Sequence, residues 1–443
     1  MYDLMIIGAG PGGYTAANKA AEKGMSVILF EKDKIGGTCL NRGCIPTKSL
    51  LSSANLYHEA KNGSLYGISG DVSFDYASIL QRKDEVVDTL RQGIIKSLEK
   101  NKVEIVYGKA TIEDKNHISC NDEIYEGKNI LIASGSVVAL PPIEGIENAI
   151  TSNEILEGNN PLAESLIIIG GGVIGVEISQ ALSDLGCKVT IIEMFDHLLP
   201  NLDKDLGQRL AMFLKKKGID IILSAQVSRI EKDNDLKTVI YKDKNGEEIK
   251  VSAKEVLVAT GRKADVSDLC KEGFDLEIER GVKADEIGKT NINNIFVIGD
   301  AKSYNIQLAH VAEAQGENIV DHICGEKLSH DTSVIPSGIY TTPEIACVGK
   351  LEKELKDQGI EYEVKKYLTG ANGKCLIENS ESGFVKVIVV DDVIVGGQII
   401  CPHATELIGE LAIAVQKKMT LKDFAEVVHP HPTISEMLWN VVK

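Results

Sequence analysis

Apolar and polar positions along this chain follow a pattern that occurs twice. Residues 4–7 are uniformly apolar and run into Gly8-Ala9-Gly10-Pro11-Gly12-Gly13; helical spacing follows over about 14–23, and the strand-like run 26–30 ends at Glu31. Far downstream, residues 166–169 lead into Gly170-Gly171-Gly172-Val173-Ile174-Gly175, helical spacing extends to about 185, and the run 188–192 ends at Glu193. Short unbroken apolar runs predict strands buried on both faces, as in a parallel sheet. Each unit therefore reads strand, glycine turn, helix, strand, acid. First glycine and acid are equally spaced in both copies, 8 to 31 and 170 to 193.

Such a unit has a physical purpose. Gly8 and Gly170 permit a tight turn, Gly10 and Gly172 let backbone approach a pyrophosphate, and Gly13 and Gly175 let helix and strand pack closely. The helix start offers donors and partial positive charge to phosphate, and the terminal glutamate accepts from ribose hydroxyls. The recurrence predicts two nucleotide-binding folds. Glu193 is followed by Met194-Phe195-Asp196-His197-Leu198-Leu199, with no arginine to receive a 2′-phosphate, which favours NAD over NADP.

Elsewhere the pattern predicts a long amphipathic helix over 76–100, with Val86, Val87, Leu90, Ile94 and Leu98 on its apolar face. Apolar runs at 130–132, 256–258 and 295–298 stop at Ala133-Ser134-Gly135, Ala259-Thr260-Gly261-Arg262 and Gly299-Asp300, and a helix follows over about 308–323. Asp300, at the carboxyl end of a strand, is a ligand-holding candidate. After residue 333 the character changes. Runs at 344–348, 385–390 and 393–395 predict an antiparallel sheet, with helices over about 406–417 and 421–428. The chain closes on His429-Pro430-His431-Pro432-Thr433-Ile434-Ser435-Glu436, stiffened by its prolines.

Composition narrows the possibilities. A length of 443 residues suggests roughly three domains of ordinary size. With 48 Lys and Arg against 65 Asp and Glu the net charge is −17, and no basic run is available for nucleic acid or an anionic membrane. No apolar stretch reaches bilayer length, and the first strand begins too early to leave room for a targeting segment. Nine cysteines, an odd and scattered set, suggest neither a secreted disulfide framework nor a metal site. A soluble cytoplasmic protein is expected. Cys120, Cys187, Cys270, Cys324, Cys347, Cys375 and Cys401 are expected to pack, with Cys401 the candidate for exposure.

The remaining two cysteines lie in Gly36-Gly37-Thr38-Cys39-Leu40-Asn41-Arg42-Gly43-Cys44-Ile45-Pro46-Thr47-Lys48. A regular helix would hold the Cα atoms of Cys39 and Cys44 roughly 8–9 Å apart, beyond disulfide reach. Gly43 admits unusual dihedrals and Pro46 disfavours helix at Ile45, so the segment is expected to depart from a regular helix and let the sulfurs meet. Two readings compete: a redox-active disulfide, or two buried thiols near a helix start. The adjoining nucleotide fold favours the first, because a cytosolic disulfide is more often catalytic than structural.

Taken together, the tandem nucleotide folds, the Cys39-x4-Cys44 stretch, Gly299-Asp300 and the His431-Pro432-Thr433-x-x-Glu436 terminus resemble the pyridine nucleotide–disulfide oxidoreductase family over essentially the whole chain. Within it, Gly37-Thr38-Cys39-Leu40-Asn41, Pro402-His403-Ala404-Thr405-Glu406-Leu407-Ile408 and the paired terminal histidines are most similar to members that oxidise a dihydrolipoyl dithiol. Arg42 stands where many relatives carry an aliphatic residue, and Pro430 where many carry alanine. The resemblance implies an α/β chain of two Rossmann-like nucleotide-binding domains plus a C-terminal α+β interface domain. Residues 1–144 would bind FAD, 145–262 NAD, 263–332 would complete the FAD site, and 333–443 would form a homodimer interface.

The same resemblance implies individual roles. Gly8, Gly10, Gly13 and Glu31 would hold the ADP part of FAD, with Ser134, Gly135, Asp300 and Ala309 completing the site; Gly170, Gly172, Gly175, Glu193 and Gly261 would hold NAD. Cys39 would exchange with substrate and Cys44 face the flavin, with Lys48 beside it and paired to Glu177. His431, delivered by the partner subunit and oriented by Glu436, would take the substrate proton. A lipoyl domain on a separate chain, or a small dithiol, would be the substrate. The alternatives are a related reductase of glutathione or mercuric ion, though residues 438–443 lack the terminal cysteine pair expected of the latter, or an inert flavoprotein scaffold.

Overall fold

The computed structural model describes residues 1–158, 160–380 and 382–443. Its first sheet centres on Tyr2–Ile7, with Val27–Glu31 and Glu104–Tyr107 parallel on one side and Glu123–Ile132 and Ile295–Val297 parallel on the other. Leu4, Met5 and Ile6 are fully buried, as an apolar run inside a helix-covered sheet must be. Strand order reverses at Tyr2–Ile7, which opens a crevice at the carboxyl ends where such sheets bind ligands. Helices α1 (Pro11–Glu22), α2 (Gly37–Arg42), α3 (Cys44–Lys61), α4 (Tyr76–Lys100) and the short α5 (Ser152–Glu157) follow in turn.

The second copy repeats the order. Ser165–Ile169, α6 (Val173–Asp184), Lys188–Ile192, α7 (Lys204–Lys216) and Asp220–Ile222 build outward, and Glu255–Val258 returns to the other side of Ser165–Ile169. A three-stranded antiparallel sheet, Gln226–Asp233, Leu236–Lys242 and Glu248–Ala253, covers one face, packing Ile230, Val239 and Tyr241 on Ile167, Ile169 and Ile192. Helix α8 (Ala309–Ile323) returns to α1 of the first fold.

The last third is an antiparallel five-stranded sheet in the order Ser337–Ile339, Glu344–Gly349, Val393–Cys401, Phe384–Val390, Glu363–Leu368. Around it lie α9 (Glu352–Asp357), α10 (Gly373–Ile377), α11 (Ala404–Gln416), α12 (Leu421–Ala425) and α13 (Glu436–Val442). Leu411 and Ala414 of α11 and Met437, Leu438 and Val441 of α13 pack on Val385, Val387 and Ile399.

Some expectations fail locally. Ile45 is helical, because Pro46 falls in the first turn of α3, where its missing N–H would have had no helical partner. On α4, Leu90 of the expected apolar face is 44% exposed, whereas Lys83 is 1% exposed with its ammonium on the Leu156 carbonyl. Cys401 is fully buried and Cys324, at the end of α8, is exposed, the reverse of the expected exposure. The strands Ser337–Ile339 and Glu363–Leu368 carry few apolar residues, and α13, though largely apolar, is only seven residues long, too short for a helical period to be read from pattern alone. Among the described residues no helix is long and apolar enough to cross a membrane, and no group of three or more His, Cys, Asp or Glu is placed to hold a metal.

Candidate active site

Cys39 and Cys44 are bonded to each other, Cα to Cα 4.6 Å apart. The approach depends on Gly43, which breaks the chain between α2 and α3 at φ −140°, ψ −110°. A side chain there would collide with the α2 backbone, its Cβ 2.9 Å from the Thr38 carbonyl oxygen and 3.2 Å from the Cys39 Cα. Asn41 fixes α2 by donating to the carbonyls of Lys34, Ile35 and Gly37 and accepting from Arg91 of α4. Cys44 opens the 18-residue α3, so its sulfur sits where a helix favours negative charge.

One turn further along α3, Lys48 reaches Glu177 of α6 at 2.7 Å. The Glu177 side chain is only 3% exposed, and its second oxygen accepts from the Tyr340 N–H at 2.9 Å. Lys48 also lies over the Tyr340 ring, 4.6 Å from its centroid. Three parts of the molecule thus meet at one ammonium: the cysteine helix, the second nucleotide fold and the last domain.

The two glycine turns are near-copies. Gly8 and Gly170 have φ of +101° and +111°, and a Cβ on either would strike the carbonyl oxygen of Ala133 or Ala259 at 2.3 or 2.5 Å. Glu31 accepts from the N–H groups of Ala9 and Asp33, both at 2.8 Å; Glu193 accepts from Gly171 and Phe195 at 2.6 and 2.8 Å. Burial pushes the Glu31 carboxyl above its usual range, opposed by those two donors.

Asp300 accepts from the Ser136 hydroxyl at 2.5 Å, and Arg262 donates to the Ser136 hydroxyl and carbonyl and to the Thr38 hydroxyl. Burial raises the Asp300 carboxyl, against Ser136 and the Arg262 charge. Ser134 donates to the Asp265 carbonyl, while Gly135 and Gly261 adopt positive φ.

These residues fit FAD and a second dinucleotide. Helices α1, α6 and α8, the last starting at Ala309, have no side chain capping their first N–H groups, which leaves those donors for an anion. Gly10 faces Gly37 across a lane that side chains would fill, since a Cβ on Gly37 would come within 2.6 Å of the Gly10 Cα.

His431 lies apart from this cluster within the chain. Its Nδ1 is 2.9 Å from Glu436, which also accepts from the Thr433 N–H, and its side chain is 80% exposed. Thr433 and then His431 hold the Glu436 carboxyl below its usual range.

Comparison with known proteins meets the same outline. Residues 2–316 match the family model described as pyridine nucleotide-disulphide oxidoreductase, and residues 335–442 its dimerisation domain. The chain belongs to the pyridine nucleotide–disulphide oxidoreductase family. Its similar relatives include proteins named dihydrolipoyl dehydrogenase from Geobacillus stearothermophilus, 38% identical, and Haloferax volcanii, 36% identical; each alignment covers 98% of this chain and 94% of the relative. Among solved structures it resembles the HOCl-induced flavoprotein disulfide reductase RclA from Escherichia coli, with TM-score 0.88, 27% identity, and coverage of 100% of this chain and 99% of that one.

Within this family frame, several site contacts had no signal in the sequence. Tyr340, Arg262 and Arg91 are each a polar residue whose partner lies 50 or more positions away. Only the Gly261-Arg262 strand exit pointed near one of them.

Proposed function

We propose that the protein oxidises a dihydrolipoyl dithiol, carried by a lipoyl domain on a separate chain, and reduces NAD, acting as a homodimer in the cytoplasm. The observation that carries this reading is the Cys39–Cys44 disulfide set across a helix break one turn before the Lys48–Glu177 pair. Near full-length likeness to proteins named dihydrolipoyl dehydrogenase supports the choice of dithiol.

A thiol is a poor nucleophile, so exchange begins with loss of a proton. With Nδ1 held by Glu436, the His431 ring of the partner subunit keeps Nε2 free to accept that proton, and Glu436 stabilises the imidazolium. The substrate thiolate attacks the Cys39 sulfur; the Cys39–Cys44 bond breaks and Cys44 leaves as a thiolate, favoured by the α3 N-terminus and by Lys48. The second substrate sulfur, once deprotonated, attacks the first, the bond to Cys39 breaks, and the cyclic disulfide departs. Two electrons have passed to the cysteines, and His431 has taken the two protons in turn: one is released to water, and the other stays with the reduced site and leaves with the electron pair as hydride.

Gly8, Gly10, Gly13, Glu31, Ser134, Gly135, Asp300 and Ala309 would hold FAD. Bound there, FAD would supply the two-electron chemistry that links the reduced cysteines to hydride transfer to NAD. Gly170, Gly172, Gly175, Glu193 and Gly261 would hold NAD. In the loop after Glu193, Lys204 and His197 are engaged by Asp196, whose carboxyl they hold down at about 2.

The test is a substrate comparison: NAD reduction by dihydrolipoamide against NADH and NADPH oxidation by lipoamide, oxidised glutathione and mercuric ion. The reading expects lipoamide and NADH to give the highest kcat/KM. Faster turnover of glutathione or mercuric ion would replace the dithiol, and equal use of NADPH would refute the role given to Glu193.

A further inference from the structure

A buried charge cluster outside the cysteine site joins the second nucleotide fold to the last domain. Lys386, on Phe384–Val390, has a side chain 1% exposed, and its ammonium lies 3.0 Å from Asp203, 3.0 Å from Asp205 and 2.9 Å from Glu352. Gln398 donates to the same Asp203 oxygen at 2.7 Å, as does the Glu352 N–H at 3.3 Å. Asp203 is the N-cap residue of α7, yet its carboxylate caps nothing in that helix; it is committed to the neighbouring domain. An ammonium withdrawn from water persists only when it is paired and hydrogen-bonded. Lys386 therefore holds the start of α7 in one place.

That start is connected to the dinucleotide turn by close packing. Gly207 of α7 lies against Leu198, where a Cβ would come within 2.0 Å of the Leu198 carbonyl oxygen. Leu198 in turn packs on Gly171, and the Leu199 N–H donates to the Gly171 carbonyl at 2.9 Å. The Gly171 N–H is one of the two donors that hold Glu193. A displacement of α7 is thereby transmitted through Leu198 and Leu199 to both the glycine turn and the ribose-facing carboxylate.

We propose that Lys386 is a positioning residue for the dinucleotide of the second fold, acting through Asp203, α7 and the Leu198–Leu199 segment. The inference rests on the reading of that fold as the NAD site. It predicts a defect in nucleotide affinity and none in the thiol chemistry.

The test uses the FAD-loaded full-length protein and Lys386→Met, with NADH as the varied substrate and an artificial electron acceptor. A shifted turn removes binding shared by ground and transition states, so KM for NADH should rise about tenfold while kcat stays within about twofold. Flavin content and single-turnover reduction by dihydrolipoamide should not change. Lys386→Arg, which keeps the charge, should recover most of the affinity. Should Lys386→Met fail to fold, Gln398→Met, which removes only the neutral donor to Asp203, decides, with an expected rise of about threefold. An unchanged KM for NADH in the folded variant, or equal losses in both half-reactions, would overturn the proposal. A parent protein that turns over no pyridine nucleotide would instead refute the function proposed above.

Discussion

The two nucleotide folds are built alike and braced differently. In each, the carbonyl one residue after the first glycine accepts from an N–H a few residues past the acid: Ala9 from Gly36, Gly171 from Leu199. In the first fold that N–H belongs to the loop that leads into Cys39. In the second it belongs to the loop that leads into α7 and the Lys386 cluster. The third position of each turn differs as well. Gly10 and Gly172 have nearly identical backbones, φ −74° and −76° with ψ −176° in both, but Gly37 is folded over Gly10 so closely that a Cβ on Gly37 would come within 2.6 Å of the Gly10 Cα, while nothing lies within 4 Å of a Cβ on Gly172. Local sequence sets the turn, and what is folded over it sets whether its ligand is enclosed or open to exchange. An enclosed turn tied to the disulfide suits a resident flavin; an open one suits a nucleotide that leaves each cycle.

The largest expected effect separates the chemistry of the two sides. His431→Gln should slow dihydrolipoamide oxidation by about 10² to 10⁴, the range of a general base, while flavin reduction by NADH continues at its parental rate in stopped-flow measurements. Equal loss of both would make His431 structural and dissolve the division between the folds.

Next comes the enclosure itself. Gly10→Ala should leave the chain folded, since its φ is ordinary, but lower FAD retention to a small fraction of the parent as read from absorbance of the purified protein, because the new methyl enters the lane facing Gly37. The matched change Gly172→Ala meets open space and should leave flavin content and melting temperature within about a degree or two or slightly raised, with KM for NADH raised less than tenfold. Similar flavin loss in both would show that the difference in surroundings does not matter.

Lys48→Met leaves the buried Glu177 with only the Tyr340 N–H. Because Lys48 is itself 30% exposed, the cost should fall below that of a fully buried pair, about 1–3 kcal/mol in denaturant unfolding. The smallest effect concerns pH. Glu31 has its folded-state pKa raised by burial, so the flavin-free folded chain holds its proton more tightly than the unfolded one. Its contribution to stability therefore grows as pH falls through the folded value towards the unfolded one, and is lost as pH rises through the folded value. Glu31→Gln should flatten that slope in urea titrations of the apoprotein across pH 4 to 7.

Much of this was legible in the chain. Glycine turns and their acids follow from local backbone demands, which single residues encode, and so did the need for a helix break between Cys39 and Cys44. The exact use of Pro46 was not, because a proline tolerated in the first turn of a helix reads the same as one that ends it. Tyr340 over Lys48, Arg91 on Asn41 and Lys386 among its carboxylates are long-range polar pairings, and a lysine in a strand carries no mark that it will be buried. Leu90 and Cys324 show the complementary limit: periodicity names an apolar face, but tertiary packing decides how far it is covered.

The most direct test of the division between the folds is ligand retention. The purified dimer, loaded with FAD and NAD, would be passed through a desalting column and its bound nucleotides released and quantified. The account predicts about one FAD per chain and essentially no NAD. Retained NAD, or FAD lost as readily as NAD, would contradict it.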